Sequence, residues 1–309
     1  MIENIFILGF SLFLIIKGAT LATKYSSRIA QAFNLSKYVV GFIIVAVISI
    51  LPEGLVAINS AIEGVPQLGL ATLLGSNIAD LTILFTIVIL LTGKNIKVES
   101  RILKNSVIYP LILIIPIMLG FDGFYSRWEG IILILTGIIF YLMAFKDNTS
   151  PLEQVKVKSS EKYKNILLLL LSMAILLFGS HFIVISATKL ASEIGVSMSL
   201  IGMFVIGLGT VMPELFFSLK SVKKNDDSLA IGDVLGTVLA DCTVIIGIIA
   251  LIKPFSFPTN IIHITGIFMV IAAFILFYFM KSDKTLTKKE GVFLLLFWII
   301  FAFIEFTIN

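Results

Sequence analysis

Charge is scarce in this chain. Only 14% of its 309 residues are Asp, Glu, Lys or Arg, whereas a soluble domain needs about 25% to cover itself against water. Cysteine and histidine are scarcer still. A single Cys242 excludes a disulfide framework and any cysteine-rich metal site. With His181 and His263 as the two histidines and no His-Glu-x-x-His, a zinc protease is excluded as well. What remains is apolar: 58% hydrophobic residues, 26 Phe and a mean hydropathy of +1.08. Such a chain reads as one polytopic membrane domain, with the lipid bilayer as its surroundings, and not as a soluble enzyme or a nucleic-acid binder. Its net charge of +4 reflects loop placement rather than an acidic partner.

A window of about 20 residues finds ten apolar stretches, near 4–22, 38–61, 68–92, 105–120, 128–145, 165–187, 198–219, 230–252, 261–280 and 291–308. Their lengths fit helices, since membrane strands would alternate over about ten residues. The expected class is an all-α polytopic bundle. No basic segment lies within Met1 to Phe6, so the first run reads as a span and not as a cleaved leader. When the loops are assigned alternately to two sides, Arg127, Lys189 and Lys253 fall on one and nearly all other Lys and Arg residues on the opposite one. The Lys-rich side should be cytoplasmic, which puts both termini outside. The polar stretch 146–164 reads as a cytoplasmic linker between five spans in 1–145 and five in 165–309.

These halves repeat at one fixed offset, the one that carries Glu53 onto Glu214. At that offset Gly18 meets Gly179, Arg28 meets Lys189, Ser36 meets Ser197, Gly41 meets Gly202 and Ser49 meets Thr210. Further along, Pro52-Glu53 meets Pro213-Glu214, Gly75-Ser76 meets Gly236-Thr237, and Ala79-Asp80 meets Ala240-Asp241. An odd number of spans per unit makes the second enter the membrane from the other side, and inverted repeats of this kind belong to secondary transporters, with the site at their junction. The matches concentrate on acids, prolines and hydroxyls, which a mere scaffold would not need.

Glu53, Asp80, Glu214 and Asp241 lie inside apolar spans. Each costs about 2.5–3.5 kcal/mol to place there, so cations or protons must compensate them. The preceding prolines remove backbone donors and free carbonyl oxygens around 48–50 and 209–211. Carboxylates mixed with carbonyls suit Ca²⁺, which takes six to eight oxygens, better than Mg²⁺ with its stricter octahedron. Ser76 and Asp80, like Thr237 and Asp241, are four residues apart and share a helix face. Asp233 opens the eighth span and reads as a cap or a group at the mouth of the pathway. Lys17, in the first span, reads as a snorkelling side chain or, more sharply, as a counter-ion for a fourth carboxylate. His181 reads as a hydrogen-bonded core histidine or part of a proton path.

At these residues the chain resembles the sodium/calcium exchangers of the calcium/cation antiporter superfamily, in their archaeal and bacterial form. The family's Gly-Thr-Ser-Leu-Pro-Glu is matched by Gly209-Thr210-Val211-Met212-Pro213-Glu214 and more loosely by Ile48 to Glu53, and its Gly-Ser-Asn-Ile-x-Asn/Asp by Gly75 to Asp80 and Gly236 to Asp241. The resemblance spans essentially the whole chain. It implies that Glu53 and Glu214 bind Ca²⁺ as metal ligands and share sodium, that Ser49, Thr210 and nearby carbonyls add oxygens, and that Ser76 and Thr237 line sodium sites. Asp80 and Asp241 hold the last position of the second motif in each half. Where the family has serine this chain has Ile50 and Val211, which removes one hydroxyl per repeat. Four carboxylates also exceed what one divalent ion balances, so proton coupling rivals sodium coupling.

The reading is therefore a non-enzymatic cation antiporter of the plasma membrane that exports Ca²⁺ against Na⁺, or against H⁺. It works as a monomer, needs no cofactor, and has inorganic cations as its partners. An intramembrane aspartyl protease using Asp80 and Asp241 is the rival from another class; its Gly-x-Gly-Asp is absent, since Gly207-Leu208-Gly209 is followed by Thr210. A multi-subunit cation channel is less apt for a chain holding both halves of its own site.

Overall fold

A computed structural model describes residues 2–32, 49–98, 107–146 and 160–308. The first half contributes α1 (Ile2–Ala32), α2 (Leu51–Ile62), α3 (Pro66–Ala79), α4 (Phe85–Thr92), α5 (Ile108–Leu119) and α6 (Arg127–Lys146). From the second half come α7 (Ser160–Ile194), the short α8 (Met198–Leu200) and α9 (Leu208–Thr210), then α10 (Met212–Lys223), α11 (Asp227–Ala240), α12 (Ile246–Ile252), α13 (Ile267–Ser282) and α14 (Lys288–Ile308). Several run on through π-helical turns at Asp80–Leu84, Ile201–Gly207, Asp241–Ile245 and Ile261–Gly266. Among the described residues, seven continuous helices are long and apolar enough to cross a membrane, while Leu51–Ile62 and Ile108–Leu119 are shorter apolar helices. Residues 38–48 of the expected span at 38–61 fall outside the described residues, as do 147–159 of the expected linker. Exposed Phe and Leu side chains on the outer helices, such as Phe6, Phe10, Leu296 and Phe303, face where lipid would be.

Element bounds recur at the offset read from the sequence. Leu51–Ile62 maps onto Met212–Lys223, Pro66–Ala79 onto Asp227–Ala240, and the π turn Asp80–Leu84 onto Asp241–Ile245, residue for residue. Local chemistry explains the shared starts. Pro52 and Pro213 stand at the first positions of α2 and α10, where a missing N–H is no loss and a fixed φ is an advantage. The residues before these helices have matching backbone angles: Ile50 at φ −67, ψ −22 and Val211 at φ −68, ψ −16. Both π turns begin on an aspartate and contain a threonine, Thr82 or Thr243, whose hydroxyl bonds the carbonyl four residues back.

Small residues bring the central helices together. A β-carbon on Gly202 would stand 2.9 Å from the Leu68 carbonyl oxygen, and one on Gly207 3.1 Å from the Ser76 nitrogen, so α3 lies against the π turn Ile201–Gly207 with its backbone almost in contact. At the periphery α1 packs along α7, with Gly18 against Leu176 and Gly179 against Ile15. This pair covers the centre: Leu12 of α1 presses on Gly209, just before the second Pro-Glu.

The all-α expectation misses one detail. Among the described residues, four two-residue strands form two antiparallel pairs, β1 (Ile96–Lys97) with β4 (Thr285–Leu286) and β2 (Phe124–Tyr125) with β3 (Phe255–Ser256). Each pair clasps a loop of the first half to a loop of the second, satisfying backbone groups at the bundle ends. Runs this short carry no alternation that a sequence reading could detect.

Candidate functional site

Glu53 and Glu214 lie in the first turns of α2 and α10, and Asp80 and Asp241 at the junctions of α3 and α11 with their π turns. All four are buried, at most 1% exposed. Both carboxylate oxygens of each lack a hydrogen-bond partner among the described residues. Glu214 is within electrostatic reach of Glu53 and Asp80, and Asp241 of the same two, so the four sequence-predicted acids converge. Buried polar atoms are almost always satisfied in a stable fold. Carboxylate oxygens without partners in an apolar interior therefore call for cations or protons.

The hydroxyls expected beside them fare differently. Thr210 is fully buried, sits beside the Glu53 carboxylate and donates to the Gly207 carbonyl at 3.0 Å. Ser76 donates to the Leu73 carbonyl at 3.0 Å, and Thr237 Oγ1 is buried with no partner among the described residues. Pro213 has no N–H to offer the Gly209 carbonyl four residues back, which supports the expectation of freed carbonyls on that side. Among the described residues no three His, Cys, Asp or Glu side chains are grouped to hold a metal ion. Acids alone do not form a shell here, so Glu53 and Glu214 as metal ligands require hydroxyl and carbonyl oxygens to complete it.

Two further residues emerge with the structure. Asp233 is a further buried acid, 3% exposed, accepting a 2.7 Å hydrogen bond from Ser49 on its Oδ1 while its Oδ2 has no partner among the described residues. It is within electrostatic reach of Glu53, Asp80 and Glu214. A helix-cap role does not fit, because α11 begins well before it, at Asp227. The signal was an acid in an apolar span one turn before Thr237; the repeat comparison passes over it because its counterpart in the first half is the uncharged Thr72. Ser218, one turn after Glu214, is the other: 1% exposed, with an unpartnered hydroxyl among the described residues. Two tyrosines hold this region in place, Tyr109 and Tyr141 donating at 2.6 Å to the consecutive carbonyls of Leu235 and Gly236.

Lys17 and His181 are not brought to this cluster. Lys17 is exposed, its ammonium 5.7 Å from the ring centre of Phe13 one turn back, which accords with the snorkelling alternative. His181 Nδ1 lies 3.2 Å from Glu63 Oε1, the side chains being 46% and 37% exposed, which is a partly solvated pairing between α7 and the end of α2 and not a core contact.

Comparison with known proteins bears on this arrangement. The family model described as "Sodium/calcium exchanger protein" matches residues 3–146 and again 164–307. The chain belongs to the sodium/calcium exchanger family. Its relatives include a membrane protein of Methanocaldococcus jannaschii, MJ0091, 28% identical over 297 residues that make up 96% of this chain and 95% of that one. Another is the sodium/calcium exchanger MaX1 of Methanosarcina acetivorans, 24% identical over 99% of both chains. Among solved structures, the sodium-calcium exchanger NCX_Mj soaked with 10 mM Na⁺ and 10 mM Sr²⁺ is similar with a TM-score of 0.71 and 25% identity over 97% of each chain. Members of the exchanger family are membrane transporters and not enzymes, so the protease reading falls away.

Proposed function

We propose that this exchanger-family chain is a secondary antiporter that exports Ca²⁺ in exchange for Na⁺, alternating access around Glu53, Asp80, Glu214 and Asp241. The observation that carries the proposal is the pair of Pro-Glu helix starts at equivalent positions of the two halves, each presenting a buried carboxylate with neither oxygen bonded among the described residues. Ten spans in two inverted repeats, 1–145 and 165–309 with the cytoplasmic linker 146–164 between, is the architecture that fits. Support comes from the recurrence of helix and π-turn bounds at one offset, and from a family match whose two segments are separated by the same offset. The sodium/calcium exchangers MaX1 and NCX_Mj support Na⁺ and Ca²⁺ as the ions. Plasma-membrane placement with both termini outside rests on the Lys-rich loops. A monomer suffices because one chain supplies both halves of the site, and the transported ions are its only small-molecule partners.

A specific observation favours H⁺ as a second reading for the coupling ion. Position 211, where the family motif has serine, is a buried valine, and Ile50 takes the equivalent place in the first half, while Asp233 adds a carboxylate. Uptake of ⁴⁵Ca²⁺ into proteoliposomes under an imposed outward Na⁺ gradient, or an outward H⁺ gradient, separates the two. Uptake driven by Na⁺ alone is the expected result. Uptake driven by H⁺ alone selects the second reading, and uptake indifferent to both gradients overturns the antiporter.

A further inference from the structure

Asp233 is not explained by the four-carboxylate site, and its surroundings differ between the halves. Ser49 and Thr210 are equivalent by offset, yet their hydroxyls do different things. Thr210 satisfies its own backbone at Gly207, whereas Ser49 reaches across 184 positions to Asp233 Oδ1 at 2.7 Å. Thr72, the counterpart of Asp233, is uncharged and donates to the Leu68 carbonyl at 2.9 Å. One half therefore carries an acid where the other carries a self-satisfied hydroxyl.

The position along the helix matters. Asp233 stands between the start of α11, which follows the Lys-rich end of α10 with Lys220, Lys223 and Lys224, and Asp241 at the end of α11. At 1.5 Å per residue that is about 9 Å from the Lys-rich end and about 12 Å short of the aspartate. Thr237 lies halfway between the two aspartates, one turn from each and so on the same face, and its fully buried hydroxyl is unpartnered among the described residues. Asp233 Oδ2, Ser49 Oγ and Thr237 Oγ1 are thus oxygens with free lone pairs, set between the Lys-rich side and the central acids. Hard divalent cations bind such mixed carboxylate and hydroxyl groups.

We infer that Asp233, oriented by Ser49, forms an inner divalent-cation subsite with Thr237, through which Ca²⁺ passes between the Lys-rich face and the central carboxylates, with no equivalent on the opposite face. This rests on the antiporter reading above and adds an asymmetry to it: affinity for Ca²⁺ depends on Asp233 from one face only.

The test uses the full chain in everted and in right-side-out membrane vesicles, measuring the ⁴⁵Ca²⁺ concentration for half-maximal exchange from each face. Asp233→Asn keeps an acceptor for Ser49 and removes the charge. It is expected to raise the half-saturating concentration at least tenfold at the Lys-rich face and less than twofold at the other. Asp233→Glu retains the charge one methylene further out, with an expected rise of about threefold at the same face only, and it decides the matter should the asparagine variant fail to fold. Equal changes at both faces, or no change at either, overturn the subsite while leaving antiport intact. Wild-type vesicles without gradient-driven exchange would instead overturn the antiporter reading.

Discussion

A β-carbon placed on Gly75 would stand 2.5 Å from the α-carbon of Met203. No rotamer relieves a clash with backbone, so α3 and the π turn Ile201–Gly207 owe their close approach to that glycine. Ser76 follows it directly, and Asp80 lies just over one turn further on. Overpacking of this kind costs about 1–3 kcal/mol. Gly75→Ala is expected to lower the melting temperature and to weaken stabilisation by added Ca²⁺. Gly232→Ala is the control, because apart from its own stretch of helix no atom of the described residues lies within 4 Å of the added carbon and alanine favours a helix; its melting temperature should be equal or higher. Fluorescence-monitored melting with and without Ca²⁺ reads both.

Gly179 places α7 against Ile15 and the Ser11 carbonyl of α1, which would stand 2.9 and 3.2 Å from a methyl group added there, and Gly18 does the reverse against Leu176. Through Leu12 the same pair rests on Gly209 beside the second Pro-Glu. Gly179→Leu should spread the pair and disturb that cover without touching a carboxylate. Exchange is expected to slow at least tenfold while equilibrium ⁴⁵Ca²⁺ binding stays within twofold, a split that flux and filter-binding measurements on one preparation reveal.

Lys17 is exposed beside Phe13, whereas the four central acids are buried. Lys17→Gln should exchange Ca²⁺ within twofold of wild type. A loss of tenfold or more would restore the counter-ion role that the sequence suggested.

Ile50 and Val211 take the places where the family motif carries hydroxyls. Val211→Thr is nearly isosteric and adds one oxygen next to Thr210. If a missing ligand limits Na⁺ affinity, the half-maximal Na⁺ concentration should fall by up to tenfold, equivalent to about 1.4 kcal/mol. An unchanged Na⁺ dependence would mean that oxygen at this position plays no part in coupling.

Much of this site was legible in the sequence because an acid inside an apolar run is costly and therefore conspicuous. Glu53, Asp80, Glu214 and Asp241 stood out that way, and the single offset between the halves sets them at equivalent helix and π-turn positions. Asp233 was visible as an acid but not as part of the site, because its hydrogen bond to Ser49 joins residues 184 positions apart and has no echo in the other half. The choice between the two readings of Lys17 stayed open in the sequence for a related reason. Hydropathy tells that a residue lies within a span but not which way it faces, and the face is decided by the packing of Gly18 on Leu176. The π turns at Asp80 and Asp241 were equally hidden, since an inserted residue per turn leaves no composition signal, although such turns gather at functional sites.

The central claim is that Glu53 and Glu214 bind the transported Ca²⁺ from the two halves. Its most direct test is Na⁺-driven ⁴⁵Ca²⁺ uptake into proteoliposomes with Glu53→Gln and Glu214→Gln, which preserve shape and remove charge at each Pro-Glu in turn. Each substitution alone is expected to reduce the initial rate at least a hundredfold, equivalent to about 2.7 kcal/mol. Either variant retaining more than a tenth of the wild-type rate would contradict it.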